Sequence, residues 1–113
     1  MKMIKNLSLA AAAAAVLAHA PVFAGDAASG KALFDSKCAA CHAGGKNTLV
    51  PAKDLTKGAM SSNLAGYNDD AAGAIAAIIA NGKAPMPPFK MQMNAAQIDD
   101  VTAYVIEKSE AGW

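Results

Sequence analysis

The chain has no arginine, one tryptophan, two histidines and two cysteines among its 113 residues, and aromatic side chains make up only 5% of it. With ten lysines against nine acids it has no basic excess with which to grip a phosphate backbone, which excludes nucleic acid as a partner. Two cysteines three positions apart cannot build the disulfide framework that staples small exported domains. Nor is there an apolar run of the ~20 residues that cross a bilayer, so stable membrane insertion is not expected. The longest run, residues 7–17 with Ser8 inside it, follows a basic start at residues 1–6 that holds Lys2 and Lys5. Pro21, Val22, Phe23 and Ala24 come next, with Val22 and Ala24 as the small residues of a cleavage site. Basic start, short apolar middle and small-residue exit are the order of a secretory signal. This predicts a leader over residues 1–24, cut before Gly25, and an exported domain over residues 25–113.

That domain has 89 residues, eight lysines, nine acids and a net charge of −1. At this size an unaided hydrophobic core is marginal, so something other than disulfides must complete it. No segment alternates apolar and polar residues as a half-buried strand does, and the periodicity is helical throughout. Asp26 caps a first helix running towards Cys41, Gly44, Gly45 and Pro51 mark a loop, and a short helix falls within residues 55–64. A third helix begins at Asn68-Asp69-Asp70, carries Ile75, Ile78 and Ile79 on one face, and ends at Asn81-Gly82. Pro85, Pro87 and Pro88 keep the next segment out of a helix. Asn94 and Gln97 form the capping box of a last helix, whose buried stripe is Ile98, Val101 and Val105 with Tyr104 alongside. The expected fold is all-α, with three or four helices.

The chemistry lies in Cys38-Ala39-Ala40-Cys41-His42. Two thiols three residues apart share one face of a helical turn and reach one edge of a planar porphyrin, and the adjacent histidine comes under the metal. A dithiol oxidoreductase would set the same cysteines beside a βαβ pattern, which is lacking. A structural zinc site needs four ligands, and the exported domain offers only Cys38, Cys41 and His42. A chance match would leave an exported protein with an unexplained thiol pair. Haem attachment is the reading that accounts for the pattern, and it also supplies the missing core.

His19 falls in the leader, so His42 is the only histidine of the domain and the sixth iron ligand is not a second one. Met60, Met86, Met91 and Met93 remain. Methionine is usually a gap-filling core residue, but Met86 has Pro85 before it and Pro87-Pro88 after it, which fixes its backbone. Met91 and Met93, in a looser stretch, are the lesser candidates. Histidine–methionine ligation fills both axial positions, which suits electron transfer and leaves no place for a substrate.

Over the whole exported domain the chain resembles the class I monohaem cytochromes c, and within them the cytochrome c6 family. The blocks that carry the resemblance are Cys38-Ala39-Ala40-Cys41-His42-Ala43-Gly44-Gly45-Lys46-Asn47, Pro51-Ala52-Lys53-Asp54-Leu55, Asn81-Gly82-Lys83-Ala84-Pro85-Met86-Pro87-Pro88-Phe89 and the ending Ser109-Glu110-Ala111-Gly112-Trp113. The resemblance implies a class I cytochrome c fold around one covalent haem c, with Cys38 and Cys41 as attachment points and His42 and Met86 as iron ligands. It implies that Gly30, Phe34 and Tyr104 lie where the first and last helices cross, and that Asn47 and Lys53 lie near the haem propionates. It further implies a monomeric, soluble carrier in a thylakoid lumen or bacterial periplasm that is not an enzyme. Such a carrier takes electrons from the cytochrome b6f complex and delivers them to photosystem I or a terminal oxidase. A respiratory or auxiliary carrier, or a small haem sensor or peroxidase, is the alternative; no spare histidine, arginine or paired acid is placed to assist peroxide chemistry.

Two positions depart from the family. Ile78 stands where a haem-contacting glutamine is usual, a replacement seen in lower-potential branches, which predicts a reduced midpoint potential. Gln92 stands near a usual docking arginine, which leaves the redox partner open. The near-neutral charge predicts docking that depends weakly on salt.

Overall fold

The computed structural model describes residues 25–113, so the leader expected over residues 1–24 lies outside the described residues. Asp26 starts α1 (Ala27–Lys37) by accepting a hydrogen bond from the Ala28 amide at 3.0 Å, which satisfies one of the N–H groups a helix start leaves free. The helix does not run on to Cys41. Cys38 leaves the helical track at φ −116°, ψ −29°, and a separate turn, α2 (Ala39–His42), follows it. Single-turn 3-10 segments at Ala43–Gly45 and Pro51–Lys53 shape the loop beyond.

Three further helices follow, each with a polar cap. Thr56 caps α3 (Lys57–Asn63), accepting from the Ala59 amide at 3.2 Å. Asp70 caps α4 (Ala71–Asn81), accepting from the Gly73 amide at 2.9 Å. Asn94 and Gln97 exchange side-chain-to-amide bonds of 2.8 and 2.9 Å at the start of α5 (Ala95–Ala111), the capping box read from sequence. The described residues thus hold five α-helices and no strand, against the three or four helices expected. The surplus comes from the break at Cys38, which divides one expected helix into two.

α1 crosses α5 at Gly30, where a Cβ would stand 1.9 Å from the Asp100 carbonyl oxygen and 3.0 Å from the Tyr104 Cβ. Only glycine permits that approach. Phe34 meets Tyr104 one turn on, with ring centroids 5.2 Å apart, so the crossing implied for Gly30, Phe34 and Tyr104 is present. Ile75 and Ile79 of α4 and Ile98, Val101 and Val105 of α5 are buried together with Phe34. Ile78, on the same apolar face of α4, is only half-buried. The chain's end closes this core. Gly112, at φ 89°, turns the backbone, and the Trp113 ring packs 5.6 Å from Phe34 and 6.1 Å from Tyr104.

Candidate functional site

Between α1, α3, α4 and α5 lies a cavity of about 420 Å³, walled chiefly by apolar side chains, among them Phe34, Met60, Leu64, Ile75, Ile79 and Val105. Cys38, Cys41, His42, Asn47, Lys53, Ile78 and Met86 all line it, so the residues expected to attach, ligate and contact the cofactor border one space. Loops 43–55 and 83–88 complete the rim.

The break at Cys38 separates the two thiols' surroundings: Cys38 is buried and Cys41 half-buried, and they are not joined to each other. Burial pushes the Cys38 thiol up to about 11, outweighing the opposing pull of Lys37. A redox Cys-x-x-Cys pair works through a lowered thiol pKa, so this environment argues against a dithiol oxidoreductase. Among the described residues no three His, Cys, Asp or Glu side chains converge as a metal-holding group, and a tetrahedral zinc site is not formed.

His42 ends α2, and its Nδ1 lies 2.8 Å from the Lys46 carbonyl oxygen. A carbonyl only accepts, so Nδ1 carries the proton and donates. In the neutral ring this leaves Nε2 with the lone pair that a metal takes. The 3-10 turn at residues 43–45 brings Lys46 back towards its histidine; Gly44 at φ 66° makes that turn possible.

Met86 is held by backbone bonds rather than by prolines alone. α4 ends at Gly82, φ 67°, where a Cβ would crowd the Met86 carbonyl and Pro87. Lys83 and Met86 exchange two backbone hydrogen bonds, 3.0 and 2.8 Å, around Ala84-Pro85. The chain then returns along α4, with the Phe89 amide bonded to Ile79 and the Lys90 amide to Ala80. Of the other methionines, Met91 is 90% exposed, and Met93, 3% exposed, packs in the core without lining the cavity. Met60 does line it, 5% exposed on α3. No neighbouring residue in the chain distinguishes it.

Asn47 spends its side chain on its own loop: Nδ2 donates to the Lys53 carbonyl at 2.9 Å, and Oδ1 accepts from the Leu49 and Val50 amides. It therefore shapes the rim, with Lys53 exposed at the mouth. Asp54, also on the rim, accepts from the Thr56 hydroxyl at 2.7 Å and the Thr56 amide at 3.0 Å, which holds its carboxyl below its ordinary range. Gln92 is exposed away from the cavity. The rim carries Lys37, Lys53 and Lys83 against the single carboxylate of Asp54, with Leu49, 58% exposed, among them. Near-neutral overall charge thus hides a local gathering of lysines. Sequence reading missed it because lysines distant in the chain meet only in the fold.

Two thiols, a tautomerically fixed imidazole and a thioether on the walls of one apolar cavity suit haem c: the walls bury a planar apolar macrocycle, and the donors match its vinyl and iron chemistry.

The chain is similar to known proteins along its described length. Residues 25–105 match the family model described as cytochrome C oxidase, cbb3-type, subunit III. Cytochrome c6 of Limnospira maxima is 45% identical over 89 residues, 79% of this chain and 100% of that protein. Cytochrome c6 of a Nostoc species is 41% identical over 114 aligned positions, covering 100% of this chain and 99% of its own. Among solved structures, cytochrome c6 of the diatom Phaeodactylum tricornutum superposes with a TM-score of 0.76 at 40% identity, over 79% of this chain and 100% of that one. Cytochrome c6C of a Synechococcus species gives 0.68 at 33% identity, over 75% and 99%.

Proposed function

The chain belongs to the cytochrome c6 family, and from that premise we propose that Cys38 and Cys41 carry the haem thioethers while His42 Nε2 and the Met86 sulfur ligate its iron. It is an electron carrier of photosynthetic electron transport, with one covalently bound haem c per chain. The observation that carries the residue assignment is the convergence of these four side chains on one cavity, with His42 Nδ1 already engaged by Lys46.

Bound there, haem c supplies a one-electron ferric/ferrous couple. The protein's part is to hold its donors still and keep water out. The Lys46 carbonyl fixes the His42 ring, and the Lys83–Met86 pair fixes the thioether's backbone, so little has to move when the charge changes. Were His42 and Met86 both to hold the iron, no position on it would remain for a substrate, which favours a carrier over a sensor or peroxidase. Asn47 sets the loop at the mouth, and Lys53 and Ile78, which line the cavity, would hold the propionate side and the ring of the group.

The finer assignments are an exported monomer working in a thylakoid lumen or bacterial periplasm after loss of residues 1–24, between the cytochrome b6f complex and photosystem I. A terminal oxidase is the second acceptor. Gln92 favours keeping it, because the usual docking arginine is replaced by an uncharged side chain pointing away from the cavity. Haem staining of denaturing gels tests the attachment. Wild-type chain expressed with a haem-maturation system retains the stain, and the Cys38→Ser/Cys41→Ser double variant loses it; stain surviving in the double variant refutes the assignment.

A further inference from the structure

The last residue of the chain reaches back to the loop that follows His42. Gly112 turns the backbone, and the Trp113 amide bonds to the Lys108 carbonyl at 2.7 Å. The indole face lies flat on Gly45, where a Cβ would meet three ring carbons at 2.3 to 2.5 Å. The indole Nε1–H donates to the Leu55 carbonyl at 2.7 Å, and the Leu55 amide donates to the Gly45 carbonyl, also at 2.7 Å. Ring, Leu55 and Gly45 therefore close on one another. Gly45 leads directly into Lys46, whose amide reaches the Ala43 carbonyl at 3.2 Å and whose own carbonyl accepts from His42 Nδ1 at 2.8 Å.

We propose that Trp113 is a positioning residue for the His42 imidazole. It clamps the 43–47 loop so that the Lys46 carbonyl stays on Nδ1, and through that bond it sets the donor strength of Nε2. The inference rests on the proposed ligation by His42. A carbonyl accepting from Nδ1–H makes the opposite nitrogen more basic, and a more basic ligand favours the more highly charged ferric iron. Loosening the loop weakens the bond, and the midpoint potential rises. Packing against Phe34 and Tyr104 alone would give Trp113 a part in stability but none in the potential.

Three variants of the holoprotein separate these roles. Trp113→Phe keeps a ring over Gly45 but has no donor for Leu55, and Trp113→Ala removes both contacts. Ile98→Ala opens the core away from the cavity. Trp113→Ala is expected to shift the ferric-to-ferrous ratio at fixed poise about threefold towards ferrous, about 30 mV at 59 mV per tenfold. Trp113→Phe shifts it less, in the same direction, and the His42 Nδ1–H resonance moves in both. Ile98→Ala lowers Tm and moves neither. Should Trp113→Ala fail to assemble, Trp113→Phe decides alone. The proposal is overturned if the tryptophan variants lower Tm while midpoint and histidine resonance stay at wild-type values. Failure of the ligand assignment reads differently: the wild-type holoprotein then lacks iron-shifted His42 ring resonances, and the inference falls with it.

Discussion

At the scale of single residues, much of the site was legible because the chemistry demands residue types at fixed spacing. Two thiols and a histidine within five positions point to haem, and prolines on both sides of Met86 mark it among the four methionines of residues 25–113. The structure sharpens that choice, since Met91 stands in solvent and Met93 is sealed in the core, while Met60 shares the cavity wall. Nothing local distinguishes Met60; its place depends on how α3 is set against α4. Ile78 has two roles at once, continuing the Ile75/Ile79 face and lining the cavity. An alkyl group there offers no dipole to the haem, whereas an amide can favour the reduced form. We expect Ile78→Gln to raise the midpoint potential by on the order of 60 mV, which for one electron is ~1.4 kcal/mol, the size of one buried hydrogen bond. Potentiometry of both proteins in one buffer checks this, and an unchanged or lowered midpoint reduces Ile78 to packing.

At the scale of elements, capping chemistry and apolar periodicity located the helices, because Asp26, Asp70 and Asn94 each satisfy N–H groups that a helix start leaves free. Replacing Asn94 with alanine removes the acceptor for the Gln97 amide, while the backbone amide at position 94 can still donate to Gln97 Oε1, and is expected to cost ~1 kcal/mol in denaturant unfolding. The helix crossing asks more of a single position. A methyl at Gly30 would collide with the Asp100 carbonyl, a backbone atom that cannot swing aside. Gly30→Ala therefore has to part α1 from α5, an overpacking cost of about 1–3 kcal/mol; a stability within a few tenths of wild type would show that the helices adjust freely. The break at Cys38, the Lys83–Met86 pair and the Trp113 clasp were not legible. Each is fixed by tertiary contact: propensity favours a continuous helix through Ala39 and Ala40, and the indole's partner Leu55 lies 58 positions away in sequence.

For the whole molecule, the 89-residue domain read as too small to complete its own core. At ~24 cal/mol per Å³, leaving the 420 Å³ space unfilled costs up to about 10 kcal/mol, comparable with the ~5–15 kcal/mol that holds a typical domain together. The Cys38→Ser/Cys41→Ser variant should accordingly lose most of its far-ultraviolet helix signal; a fully helical, cooperatively melting haem-free chain would mean that the apolar walls close without the cofactor. Composition does not show where charge sits: a net charge near zero predicts weak dependence on salt, and Lys37, Lys53 and Lys83 gather at the cavity mouth with Asp54, where the two propionates of a bound haem would offset them. Neither ion pair among the described residues involves those lysines. Clustered charge steers an oppositely charged partner even when the monopole is small, and it is screened beyond ~8 Å at physiological ionic strength. Electron exchange with a partner should therefore slow by less than roughly tenfold between low and physiological salt, and stopped-flow rates that fall by orders of magnitude would show these lysines acting as an uncompensated patch.

If His42 and Met86 close the iron on both sides, the site is that of a carrier. Carbon monoxide binding to the ferrous holoprotein, wild type beside Met86→Ala, decides this. The wild type is expected to show a methionine–iron charge-transfer band when ferric and to bind no carbon monoxide when reduced. Met86→Ala keeps its covalent haem, loses the band and binds the gas. Ready binding by the wild type, or a Met86→Ala protein that keeps the band through Met60, would contradict it.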